Sequence, residues 1–311
     1  MSFDNILKDI KELKIQGAEN IAKEAVKAIK SEILRSKQKN NALFISELLI
    51  KKKKLENARP TEPCLRNAMS FLFSEDYLFT SPNIEVRELK EILLEKAQKV
   101  LQHFEFAKKQ INEFGSLKVK DGMIIYTHCH SSTVIEILKR AKENKKKFEV
   151  HCTETRPKFQ GRKTAQDLIN LNISTTLYVD SAFRLAMKKA DFVLLGADAI
   201  TTEGKVINKI GSEVIAEIAH TLGVQVYCCA DSWKFDPETV YGVEEQIEER
   251  DKNEIWPNHP KKLRIKNYAF EKIDPILITG IISELGIYSP QIFIEEVKSN
   301  YPWMFKNIKK S

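Results

Sequence analysis

The sequence predicts an α/β fold in two parts: an all-helical N-terminal domain over residues 1–115, then a Rossmann-like, doubly wound parallel-sheet domain over residues 116–311. Two textures predict it. Up to Gly115 the apolar residues recur at helical spacing with little strand signal. Beyond it, short apolar runs alternate with amphipathic stretches, the pattern of parallel strands with helices on their faces.

In the first part, "FDNILKDIKELKI" places Phe3, Ile6, Leu7, Ile10 and Leu13 on one helical stripe, and "AENIAKEAVKAIKSEILRS" follows, rich in strong helix formers. "ELLIKKKKLENA" continues the pattern until Arg59-Pro60-Thr61-Glu62-Pro63, where two prolines break it. "NAMSFLFSEDYL" and "VRELKEILLEKAQKVLQHFEFAKKQINEF" read as further helices. In the second part the expected strands are "GMIIYTH", "KFEVHCTE", "STTLYVD", "DFVLLGAD", "VQVYCCAD" and "LRIKNYAF". Between them "STVIEILKRAKEN", "RKTAQDLINL", "SAFRLAMKKA" and "SEVIAEIAHTLG" read as helices.

Composition narrows the class. Hydrophobic residues are 42% of the chain, enough for a substantial core. No apolar run approaches the ~20 residues of a membrane span, and the N-terminus mixes charges without a signal-peptide core. Five cysteines without framework spacing read as reduced thiols, so the expected location is the cytoplasm. The formal charge of +7 is mild for 311 residues. Runs such as Lys51–Lys54 and Lys145–Lys147 carry no interleaved aromatics and read as solvated faces, not nucleic-acid sites. The C-terminal "IYSPQIFIEEVKSNYPWMF" is aromatic enough for core packing or an interface, and the charged stretch 235–260 reads as a surface excursion or subunit contact.

Ligands of doubly wound sheets bind beyond the carboxyl ends of the strands. Here those ends are Thr127–Ser132, Thr153–Arg156, Asp180–Ser181, Gly196–Asp198 and Ala230–Ser232, polar residues after apolar strands, expected to form one composite pocket. Cys129 sits at the first mouth, and Ser131 and Ser132 open the next helix, whose N-terminal amides favour phosphate. That field, with His128 and His130 beside it, is expected to lower the thiol pKa. A buried thiol next to a serine cap is the plainer reading. His128 and His130 share one strand face, but no CxxC, HxxxH or HxxE spacing supplies further ligands, so no metal is assigned and no cofactor expected.

Asp198 ends a wholly apolar strand, where desolvation fits a carboxylate for acid–base work. Asn208 and Lys209, before Gly211 and a helix at Ser212, suit a hydroxyl-and-phosphate ligand. A capping Asp and a solvent Lys remain the alternative. Arg156 follows another strand end and could clamp a phosphate, with Gln160-Gly161-Arg162 forming a turn before a helix near Thr164; Arg59 is a second rigid arginine.

In order, "THCHSS", "TETRPKFQG", "VDSA", "GADAI" and "GKVINKIG" resemble one family. It joins archaeal ribose-1,5-bisphosphate isomerase, methylthioribose-1-phosphate isomerase and the alpha, beta and delta subunits of translation initiation factor 2B. The resemblance runs from "KIQGAENIA" to the last helix, and "TETRP" with Arg59-Pro60-Thr61 is most similar to the first branch. It implies an aldose–ketose isomerisation of an anomerically phosphorylated sugar, with Cys129 as acid and Asp198 handling the C2 hydroxyl proton. It also implies a sugar bisphosphate held by Arg59, Arg156, Ser131, Ser132, Asn208 and Lys209 and by the early triplet Gln16-Gly17-Ala18. The isomerases usually carry Arg in place of Gln16; Gln supplies no charge, so phosphate is held less firmly there. The resemblance further implies a homo-oligomer, dimer or hexamer, and a nucleoside monophosphate as activator. The competing implications are a regulatory binding protein like the translation-factor subunits, and methylthioribose-1-phosphate isomerisation, which needs an apolar lobe in place of a second set of cations.

Overall fold

The computed structural model describes residues 2–74, 84–244 and 247–305. Among the described residues the first helices are α1 (Phe3–Lys11), α2 (Ala18–Arg35), α3 (Asn41–Ala58), α4 (Pro63–Leu72) and α5 (Val86–Lys118). Their starts follow local chemistry. Ser2 caps α1 and Asn40 caps α3 through side-chain oxygens, and Pro63 takes the first turn of α4, where no amide is needed. The expected stripe on α1 buries Phe3, Ile6 and Ile10; Leu13 lies beyond the helix, in the left-handed region at φ 58°. The end of "NAMSFLFSEDYL" falls outside the described residues. Helix α5 is continuous across Gly115, where the sequence texture changes, and ends at Lys118.

Then follow β1 (Ile124–Thr127), α6 (Ser132–Glu143), β2 (Glu149–Thr153), α7 (Gln160–Asn170), β3 (Ser174–Tyr178), α8 (Phe183–Met187) and β4 (Phe192–Gly196). Next come β5 (Ala199–Ile200), β6 (Val206–Lys209), α9 (Ser212–Leu222), β7 (Gln225–Cys229), β8 (Phe270–Ile273), β9 (Gly280–Ser283), β10 (Gly286–Tyr288) and α10 (Pro290–Asn300). Seven strands form the main sheet in the order β10-β9-β7-β4-β1-β2-β3, parallel except for β10. Alternate residues leave by opposite faces. Val193 and Leu195 of β4 join a core shared with α2, α4 and α9, whereas Phe192 and Leu194 pack with α5 and α6.

Three expectations need correction. "LRIKNYAF" contributes only Phe270 to a named strand, and that strand lies in a separate antiparallel sheet, β5-β6-β8. The sequence reading omitted β9 and β10, whose short runs are interrupted by Gly280 and Gly286. Helix α7 starts at Gln160, without the expected turn through Gly161. Gly161 permits this, because a Cβ there would stand 1.7 Å from the Thr153 carbonyl oxygen. The C-terminal segment is core: Phe293, Ile294, Val297 and Met304 are buried, and the Trp303 ring meets Phe71 and Trp233. Among the described residues no helix is long and apolar enough to cross a membrane.

Candidate active site

The strand order creates the site. From β1 the chain moves outward through β2 and β3, then returns to lay β4 on the other side of β1 and continues outward through β7. A crevice opens where the winding reverses, at the carboxyl ends of β1 and β4. Cys129 follows β1 and Asp198 follows β4. Both line a cavity of about 660 Å³.

Close packing brings these ends together. A Cβ on Gly196 would lie 2.8 Å from Ser131 Cβ, so the end of β4 rests against the start of α6. Ser131 caps α6, its Oγ accepting from the Val134 amide at 3.4 Å. Gly211, at φ +100°, approaches the His128 ring so closely that a Cβ would be 3.0 Å from Nε2. His128 is buried; it donates from Nε2 to the Ile210 carbonyl at 3.0 Å and accepts at Nδ1 from the Thr153 hydroxyl at 2.7 Å. Burial lowers its pKa to about 4, so this imidazole is neutral. It ties the cysteine turn to Ile210, directly after Asn208 and Lys209 at the end of β6.

Cys129 itself is in the left-handed region at φ 64°, as is Thr155 at φ 60°. The Cys129 amide donates to Thr155 Oγ1 at 2.9 Å. Such conformations cost about 1–3 kcal/mol and concentrate where structure serves function. His130 is half-buried, its Nδ1 bonded to Thr164 Oγ1, which in turn donates to the Cys129 carbonyl at 2.7 Å.

Electrostatics corrects one expectation. The Cys129 thiol is not lowered: burial pushes it up to about 11, against the pull of Lys209, the His130 amide and Arg250. It is therefore a neutral thiol near pH 7, fit to donate a proton. Burial likewise raises the half-buried Asp198 carboxyl, opposed by Lys234, Lys209, Arg59 and Arg250. Lys209 is 6% exposed; its ammonium makes no ion pair or hydrogen bond with any described residue and stands 4.8 Å over the Phe270 ring. Burial lowers its pKa, countered by Cys129. Asn208 Nδ2 donates to Ser212 Oγ at 2.9 Å.

Gln16, Gly17 and Ala18 line the cavity at the start of α2, and Ser131 and Ser132 line it at the start of α6. Gln160, at the start of α7, adds a third helix N-terminus. Arg59 lines the cavity too, but its Nη2 is already paired with Glu62 Oε1 at 2.8 Å. Arg156 does not belong to this group. It follows β2, one strand away from the reversal; Asp180 takes its amide at 2.7 Å, and its guanidinium donates to the Ile255 carbonyl at 3.1 Å. The strand ends of β2 and β3 thus fall outside the expected composite pocket, for the crevice forms only beside the reversal.

Sequence reasoning missed Glu62, Lys234 and Arg250, which also line the cavity, whereas Asp231 reaches it from the expected strand end Ala230–Ser232. Lys234 is buried and donates to the Ala197 carbonyl at 2.5 Å; its position just past a polar strand end was the available signal. Glu62 stood in the helix-breaking segment Arg59-Pro60-Thr61-Glu62-Pro63. Nothing local marked Arg250, in the stretch 235–260. Eight lysines and arginines against five carboxylates line the cavity, an anion-seeking balance. The one group of side chains spaced for a metal among the described residues is His103, Asp231 and Glu284. Both Glu284 oxygens and Asp231 Oδ1 already serve other donors: Ser232 N–H and Tyr301 O–H to Glu284, and Trp233 N–H to Asp231.

The profile of the Initiation factor 2 subunit family matches residues 14–290. The chain belongs to this family. Within the initiation factor 2 subunit family, it is 36% identical over 306 residues to the ribose 1,5-bisphosphate isomerase of Thermococcus kodakarensis, covering 97% of this chain and 95% of that protein. Among solved structures, the translation initiation factor eIF-2B of Pyrococcus horikoshii OT3 superposes with TM-score 0.80 at 29% identity, over 94% of this chain and 98% of that one. The 5-methylthioribose 1-phosphate isomerase of the same organism gives TM-score 0.79 at 23% identity, over 97% and 88%, a likeness of fold.

Proposed function

We propose that the protein is an isomerase converting ribose 1,5-bisphosphate to ribulose 1,5-bisphosphate. The observation that carries the reading is the convergence in one cavity of a neutral buried thiol, a desolvated carboxyl and the Lys209 ammonium, which is unpaired among the described residues. A binding scaffold has no need of that combination, and a collapsed pocket would contradict catalysis.

The anomeric phosphate prevents simple opening to a free aldehyde. Cys129 gives its proton to the ring oxygen as the ring C1–O bond breaks, the hydrogen on C2 is transferred to C1 to fill the bond the ring oxygen left, and Asp198 takes the C2 hydroxyl proton as that carbon becomes a carbonyl. Lys209 and the amides at the start of α6, with Ser131 and Ser132, hold one phosphate. Gln16, Gly17 and Ala18 at the start of α2, with Arg59, hold phosphate from the other wall, and Asn208 meets a sugar hydroxyl. A second phosphate fits this lining better than a methylthio group. The large apolar side chains at the cavity are Ile21, Ile111 and Phe270, and Phe270 is covered by Lys209 and Arg250.

The enzyme works, in this reading, in the cytoplasm as a homo-oligomer, dimer or hexamer, with a nucleoside monophosphate as activator. The edge strand β3 supports assembly, since Leu177, Val179 and Leu185 are exposed beside it. The test is conversion of ribose 1,5-bisphosphate by the purified protein, with and without a nucleoside monophosphate. No ribulose 1,5-bisphosphate under either condition sinks the proposal in favour of a binding role; conversion of methylthioribose 1-phosphate alone would move it to that substrate.

A further inference from the structure

Among the described residues, two carboxylate oxygens on the cavity wall have no hydrogen-bond partner, Glu62 Oε2 and Asp231 Oδ2, and the proposed isomerisation uses neither. Asp231 belongs to the network with His103. Glu62 pairs with Arg59, whose Nη2 also lies 3.7 Å from Glu248. Glu62 occupies the N-cap position of α4, yet its side chain makes no cap bond. Only 4% exposed, it spends Oε1 on the 7%-exposed Arg59 and leaves Oε2 buried and empty. An unmet acceptor of this kind costs about 1–3 kcal/mol unless a ligand donates to it.

The chemistry of the missing donor can be read from what surrounds it. A phosphate ester ionised at neutral pH accepts hydrogen bonds but has none to offer a carboxylate. Arg59, Lys234 and Asp198 are already near enough to shape the Glu62 charge. The remaining donor of a sugar bisphosphate is a hydroxyl. A wall of cations alone would welcome any compact polyanion, whereas a carboxylate among them repels ligands that bring charge without hydroxyls.

We propose that Glu62 is a substrate-contacting, specificity-determining residue: Oε1 aims Arg59 at a phosphate while Oε2 accepts a hydrogen bond from a sugar hydroxyl. This rests on the isomerase reading and adds the selection of a polyol bisphosphate over a bare polyanion. Burial, and then Asp198, raise the Glu62 carboxyl to about 7, against Arg59 and Lys234, so its ionisation falls inside the working range.

The experiment compares wild type with Glu62→Gln, which keeps an oxygen for Arg59 and turns an amide donor toward the hydroxyl. Calorimetry measures binding of ribulose 1,5-bisphosphate and of inorganic pyrophosphate, which has no hydroxyl, and kinetics follow the pH dependence of kcat/KM. The expected result is sugar-bisphosphate binding weakened at least ~10-fold, pyrophosphate binding unchanged or tighter, and loss of the acid limb near pH 7. Equal weakening of both ligands reduces Glu62 to a support for Arg59 and overturns the hydroxyl contact. So does a variant that matches wild type in binding and pH profile. Wild type that binds the bisphosphate without converting it overturns the isomerase reading alone, and the two-ligand comparison still decides Glu62. Wild type that binds no sugar bisphosphate overturns both.

Discussion

Cys129 and Asp198 follow neighbouring parallel strands, β1 and β4, on the two sides of the point where the sheet's winding reverses. Each is desolvated there, and the Asp198 charge helps to hold the Cys129 thiol up. Cys129→Ser and Asp198→Asn are therefore each expected to lower kcat by about 100- to 10,000-fold, the usual yield of a positioned acid or base. Circular dichroism should show both variants folded. Wild-type rates in either would remove that residue from the chemistry.

The raised Cys129 thiol predicts slow alkylation. With a pKa of about 11 the thiolate is scarce at pH 7.5. Iodoacetamide should modify Cys129 on the order of 100-fold more slowly than free cysteine, followed by mass spectrometry of the Cys129 peptide. Rapid modification would show an activated thiol instead.

Gln16 provides a gain-of-function test. It lines the cavity beside the start of α2, and its amide donates to the Leu13 carbonyl at 2.7 Å, so it brings no charge to the site. Gln16→Arg should lower KM for the sugar bisphosphate by roughly 3- to 10-fold, the effect of adding a charge-assisted bond. Arg156→Ala, outside the cavity, should leave KM within about 2-fold, as expected of a side chain that touches no ligand. A large rise in KM for Arg156→Ala would mean that the guanidinium reaches a phosphate by another route.

The His128–Gly211 contact can be broken from either side. Gly211→Ala adds a Cβ 3.0 Å from the ring at a φ that side chains rarely adopt, and should cost about 1–3 kcal/mol in urea unfolding. His128 also sets an acid sensitivity. Its folded pKa, about 4, lies below the ordinary 6.5, so its contribution is present above 6.5 and lost as pH falls toward 4. Wild type should lose about 1–3 kcal/mol more than His128→Phe over that window. Parallel stability curves for the two proteins would contradict the buried neutral imidazole.

The legible part of the site was the part written in strand ends. Cys129, Ser131, Ser132, Asp198, Asn208 and Lys209 each follow or close an apolar run, and all six line the cavity. Arg156 obeyed the same local rule and failed it, because the rule cannot say which strand mouths adjoin the reversal. Glu62 and Arg250 reach the cavity from a helix start and from a long segment between β7 and β8, so no local spacing could place them there.

The sequence by itself determined the helical first part, the alternation that builds a parallel sheet, and the pairing of a cysteine with an aspartate as the chemical bet. Those features follow from local periodicity and from the identity of single residues. Tertiary structure alone decided that the thiol is raised, not lowered, that Arg59 arrives already paired with Glu62, and that Lys209 makes no ion pair with any described residue. Burial and charge neighbours depend on which strands lie side by side, and strand order is a property of the folded chain.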